Sequence, residues 1–143
     1  MILISKEYRQ ELKDYDYRLP GGKMFDSLKE YNSFLQSGKD MLPMAAEAAK
    51  RELVEEAGVN AKDLKHFYTS KCGTTVVWDL IYFVVTDYEV LPKEKRGENG
   101  EDVETIWLTK EEAIDLCISG KMLEDRSLGV LLRYLLKDSD KVK

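Results

Sequence analysis

The chain opens with two short runs of strand character: MILIS, apolar and β-branched, and YDYRL, in which polar and apolar residues alternate up to the turn signal PGG. This pattern predicts strand, loop, strand and a glycine turn. The period changes in DSLKEYNSFLQSG, where Leu28, Tyr31 and Leu35 share a helical face, Asp26 or Ser27 can cap the start and Gly38 suits the position after the end. From Met44 to Ala57 the run MAAEAAKRELVEEA is dense in helix formers, with Pro43 placed for a first turn and Gly58 for the stop.

Two runs rich in β-branched and aromatic residues follow, HFYTS and the long TTVVWDLIYFVVTDYEV. The second is too continuous for one half-exposed strand, so it is expected as a central strand, or as a strand bent near Trp78 to Leu80. LPKEKRGENGED has no apolar periodicity and reads as an exposed loop, and ETIWL returns to strand. Two amphipathic helices close the chain. TKEEAIDLCISG starts at a Thr cap, turns Ala113, Ile114 and Cys117 inward and ends at Gly120, while DRSLGVLLRYLLK begins with Asp125. Helices interleaved with strands predict a mixed α/β domain with a central sheet and helices on both faces.

At 143 residues and 43% hydrophobic content the chain fits one domain with a real core, and no segment is long enough to span a membrane. MILIS is too short for a signal peptide, so a cytoplasmic protein is expected. Cys72 and Cys117 stand far apart, without histidines at metal-ligand spacing; both are expected to be buried, reduced thiols. Twenty-seven acidic residues outweigh 22 basic ones, giving a net charge of −5, and no basic run interleaves with aromatics, which argues against nucleic acid as the partner. A small anionic substrate would need a metal or a local basic pocket.

The densest chemistry lies in RELVEEAG, Arg51 to Gly58. On a helix Glu52, Glu55 and Glu56 project together while Leu53, Val54 and Ala57 turn inward. Glu47–Arg51 and Arg51–Glu55 are at ion-pair spacing and account for Glu47 and Arg51 as a solvated face. Glu52 and Glu56 remain stacked one turn apart with no cation of their own.

LPGGK at Leu19 to Lys23, followed by AAKRELVEEAGV at Ala48 to Val59, resembles the signature of the Nudix hydrolases. The second half of that signature, Arg-Glu-apolar-any-Glu-Glu-any-Gly-apolar, is matched at every specified position from Arg51 to Val59. The first half departs from it: Arg51 follows Gly22 by 29 positions where the signature has fourteen, so fifteen residues are inserted, and Pro43 stands where the signature has its first glutamate. The insertion is placed in DSLKEYNSFLQSGKDM, as a helical segment at about 24–43 of a single Nudix domain spanning 1–143. EYR, WDLIYFVV, GEDVETIWLTKEEAIDL and the Gly120–Lys121 turn follow, more weakly, the order of the ADP-ribose pyrophosphatase-like branch, in which an additional strand or small domain precedes EYR.

The resemblance implies a Nudix α/β/α sandwich with a central mixed sheet, and magnesium-dependent hydrolysis of the pyrophosphate in a nucleoside diphosphate derivative, ADP-ribose or a related nucleotide sugar. It implies a site in which Glu52, Glu55, Glu56 and a carbonyl at Gly22 hold Mg2+, or Mn2+ in its place. Arg51 orients the glutamates by ion pairing. The catalytic base is Glu52 or a glutamate of the loop after the long strand, Glu101 first and Glu98 next. Glu30, Asp40 and Glu47 are candidates to replace the missing glutamate. Arg9 and Arg18 are candidates for phosphate contact and Trp78 for the border of a base pocket, whereas His66 reads as structural. The leucines of the last helix leave a homodimer open. The competing expectations are a catalytically silent Nudix domain that senses a nucleotide and an interaction domain without a nucleotide site.

Overall fold

The computed structural model describes residues 1–74, 78–92 and 103–137. The described residues form mixed α/β structure with four helices, and the chain divides into two compact units, Met1–Pro20 with Glu98–Lys143 and Gly21–Gly97.

The first unit is built on a three-stranded sheet. β1 (Ile2–Arg9) lies between β2 (Asp14–Arg18) and β7 (Val103–Leu108), antiparallel to both. MILIS and EYR thus belong to one strand, and the hairpin turn that follows is closed by the Leu12 and Lys13 amides donating to the Arg9 and Gln10 carbonyls. Strand alternation puts Ile2, Ile4, Tyr17, Ile106 and Leu108 on one face. That face packs with α3 (Lys110–Ile118) and α4 (Asp125–Leu136), whose Ala113, Leu116, Cys117, Leu131 and Leu135 form the core with Ile4 and Met122. Each helix buries positions three and four apart, as amphipathic spacing requires. α3 starts in a reciprocal capping box between Thr109 and Glu112. The N-cap of α4 is Glu124, one residue before the expected Asp125, because its carboxylate accepts the Arg126 and Ser127 amides.

In the second unit, α1 (Leu28–Gln36) is capped by Ser27 and followed by Gly38 in the left-handed region. It buries no residue: Leu28 is 79% exposed and Leu35 is also exposed, so the expected leucine face is not a packed one. Its aromatic contacts are instead Phe25 with Tyr31 and Phe34. α2 (Met41–Ala57) begins three residues before the expected Met44, because the Asp40 carboxylate accepts the Leu42 amide and Pro43 fits within the first turn.

Two antiparallel pairs complete this unit, β3 (Val59–Ala61) with β6 (Tyr88–Val90) and β4 (Lys65–Ser70) with β5 (Leu80–Val84). The long apolar run is therefore not one central strand. Its described part breaks at Thr86 and Asp87, further on than the expected bend at Trp78 to Leu80, because Asp63 clasps the chain there. Asp63 Oδ1 accepts the Thr86 and Asp87 amides at 2.8 and 2.7 Å, and Oδ2 accepts the Thr86 hydroxyl at 2.6 Å. β3 has no signal in the sequence pattern: it is three residues long, and it forms only because β6 pairs with it. Cys117 is buried as expected, and its burial pushes the thiol pKa up. Cys72 is exposed, contrary to expectation, since it falls between β4 and Gly73 rather than inside a strand.

Candidate active site

α2 places Arg51 to Ala57 in its last two turns, and Gly58 ends it in the left-handed conformation (φ 61°). The Gly58 amide donates to the Val54 and Leu53 carbonyls, which a residue with a Cβ could do only under strain. The helix therefore stops where the glutamate run stops.

Glu52 and Glu56 both turn toward the glycine turn of their own unit. A Cβ built on Gly22 would overlap the Glu52 carboxylate, so the absence of a side chain at position 22 is what lets that carboxylate sit against the backbone. One turn along the helix, Glu56 Oε2 accepts the Gly21 amide at 3.2 Å. Arg51 fastens the same corner: its Nη2 donates to the Lys23 carbonyl at 3.3 Å and lies 3.7 Å from Glu52 Oε1. The expected ion pairing of Arg51 with its helix neighbours Glu47 and Glu55 is replaced by these contacts, and Glu47 pairs with Lys50 at 3.1 Å. The Glu52 side chain is 18% exposed, whereas that of Arg51 is 54% exposed. Glu55 is half-buried beside them.

Among the described residues no group of three or more His, Cys, Asp and Glu side chains is gathered to hold a metal ion. What the structure presents is a pair of carboxylates against main-chain amide groups, in a cradle that a Cβ at position 22 would fill. This donor set fits magnesium, a hard cation that takes one or two carboxylates and completes its six positions with water and substrate phosphate.

Of the other expected residues, Arg9 is paired with Glu7 at 2.7 Å, and Arg18 is paired with Asp16. Trp78 is 65% exposed. Glu98 and Glu101 lie outside the described residues. Of the candidates to replace the signature glutamate, Glu30 accepts the Asp26 amide at the start of α1, Asp40 caps α2 and Glu47 pairs with Lys50. His66 bonds the Thr69 hydroxyl at 2.9 Å, the structural role expected of it. Sequence reasoning misses the Lys23 carbonyl that positions Arg51, because main-chain acceptors leave no mark in a sequence. It misses Asp16 as well, although the alternation of DYDYR already puts Asp16 on one strand face with Arg18.

Comparison with known proteins adds three findings. The NUDIX domain family model matches residues 44–126. The crystal structure of an ADP compounds hydrolase superposes with a TM-score of 0.67 at 22% identity, covering 98% of this chain and 68% of that one, which shows the Nudix fold. No curated protein matches. The family match takes in more than half of the residues and the whole glutamate run that faces Gly21 and Gly22, and the chain therefore belongs to the Nudix hydrolase family.

Proposed function

We propose that this Nudix pyrophosphohydrolase cleaves the pyrophosphate bond of a nucleoside diphosphate derivative, ADP-ribose or a related nucleotide sugar, with a divalent cation, magnesium first and manganese in its place. The observation that carries the reading is the convergence of Glu52 and Glu56 on the Gly21–Gly22 turn, two carboxylates whose repulsion a cation relieves. The ADP-ribose branch is supported by the fold shared with the ADP compounds hydrolase.

Glu52 and Glu56, with Glu55 beside them and main-chain oxygen at Gly22, would hold the metal. When bound, it neutralises the phosphate oxygens and lowers the pKa of the attacking water. Arg51, tied to the Lys23 carbonyl, keeps the Glu52 carboxylate aimed at the glycine turn, so it acts as a positioning residue. The base that receives the proton of water is Glu52 or Glu101.

We read residues 1–143 as one Nudix domain with a helical insertion at 24–43. The family match runs through parts of both compact units, and α1 buries nothing, as an added surface helix would. No helix among the described residues is long and apolar enough to cross a membrane, and the cytoplasm suits a chain with two unpaired thiols. The acidic net charge favours a small nucleotide held through a metal over a nucleic acid.

The test is chromatographic detection of products from ADP-ribose, a nucleotide sugar, a diadenosine polyphosphate and a nucleoside triphosphate, with and without magnesium, beside Glu56→Gln. Turnover of ADP-ribose or the nucleotide sugar that needs magnesium and disappears in the variant is the expected result. Binding of a nucleotide without turnover would replace this reading with the silent sensor, in which Pro43 in the signature glutamate position has cost the site its activity.

A further inference from the structure

Arg51 stands at the same corner as the carboxylate pair, within one compact unit, and its guanidinium is only partly used. Nη2 donates to the Lys23 carbonyl at 3.3 Å, and its 3.7 Å approach to Glu52 Oε1 is an ion pair too long for a hydrogen bond. Among the described residues no other acceptor is bonded to Arg51. An arginine that served the Glu52 carboxylate alone is expected to spend a two-pronged bond on it. This one holds a main-chain carbonyl with a single N–H and keeps more than half of its side chain exposed.

The planar guanidinium presents its N–H groups as two parallel forks that share Nη2, one completed by Nε and the other by Nη1. A single bond from Nη2 occupies an N–H of one fork and leaves the other fork whole. A whole fork matches two oxygens of a phosphate, which only accepts hydrogen bonds and carries negative charge. Local electrostatics favour the same partner. Glu52, Glu55 and Glu56 bring three carboxylates to the end of α2, so a divalent cation leaves one of their charges uncompensated. A diphosphate approaching that surplus is repelled unless a fixed cation stands beside the metal. Arg51 is such a cation, ion-paired to the carboxylate that lies against Gly22.

We propose that Arg51 binds phosphate as well as positioning Glu52: one Nη2 N–H keeps the Lys23 carbonyl, and the free fork donates to two oxygens of the substrate's pyrophosphate. The proposal rests on the nucleotide-hydrolase reading and gives the site a phosphate contact that does not pass through the metal.

The test uses the full chain and methylene diphosphonate, a pyrophosphate mimic whose P–C–P bridge is not hydrolysed, so binding is read without turnover. Mn2+ affinity is measured first by electron paramagnetic resonance, and diphosphonate binding is then measured by calorimetry at one saturating level of Mn2+. Saturation removes any effect that Arg51 has on metal affinity through the aim of Glu52. Arg51→Met, which keeps an unbranched stem and has no N–H, should bind the diphosphonate about tenfold more weakly or worse. Arg51→Lys can still donate to the Lys23 carbonyl but has no fork, and should lose about threefold. Uptake of Mn2+ by a variant shows that its site is folded, and Arg51→Lys carries the comparison if Arg51→Met takes up none. Wild-type diphosphonate affinity in the variants that take up Mn2+ overturns the proposal and leaves Arg51 with positioning alone, as does a wild type that takes up Mn2+ and not the diphosphonate. A wild type that takes up no Mn2+, with or without the diphosphonate, defeats the metal-dependent hydrolase reading and this proposal with it.

Discussion

The α-carbon of Gly22 lies against the carboxylate of Glu52, with no room between them for a methyl group. The atom that would clash is the far end of a flexible side chain rather than backbone. The added methyl in Gly22→Ala therefore pushes the carboxylate away instead of unfolding the turn. Turnover should fall by about 100-fold, the order expected from displacing a catalytic group by an ångström. The thermal midpoint should hardly move. Measuring both on one preparation separates the two effects, and an equal loss of stability and activity would show that Gly22 serves the fold rather than the carboxylate.

The helix α1 makes the opposite prediction. Leu28 is 79% exposed on α1, so Leu28→Lys should change the unfolding free energy by no more than about 0.5 kcal/mol. Urea unfolding checks this at several protein concentrations. A larger loss that depends on concentration would reveal a second copy of the chain covering that leucine.

Asp63 joins stability to pH. The Thr86 hydroxyl, followed by the Asp87 and Thr86 amides, holds its carboxyl well below the usual carboxylate range. A folded-state pKa lower than the unfolded one stabilises the protein fully above the unfolded value of about 3.9, and that contribution is lost as pH falls toward the folded value. The urea midpoints of wild type and Asp63→Asn should differ most at about pH 7 and draw together near about pH 2.5. A gap that widens on acidification would contradict the assignment.

Thr109 and Glu112 close the first turn of α3 reciprocally, at 3.2 Å to the Glu112 amide and 2.7 Å to the Thr109 amide. Thr109→Ala removes the hydroxyl acceptor and should cost about 1 kcal/mol. Equilibrium urea unfolding measures it, and turnover at saturating substrate should survive. A variant as stable as wild type would mean that packing of Ala113 and Cys117, rather than the cap, sets this helix.

Much of this protein is legible in its residues alone. The caps at Ser27 and Thr109, the stop at Gly58 and the inward faces of the last two helices depend on neighbours within about four positions, and those neighbours are written next to one another. The run from Arg51 to Val59 marks the family for the same reason, since a helix turns its spacing directly into a shared face. The tertiary structure decided what joins distant positions. Asp63 breaks the long apolar run at Thr86, 23 residues away, and the Gly21 amide meets Glu56 across 35. A single sequence records each partner in such a contact but not that they meet, because the contact is set by how the backbone closes rather than by the period along it.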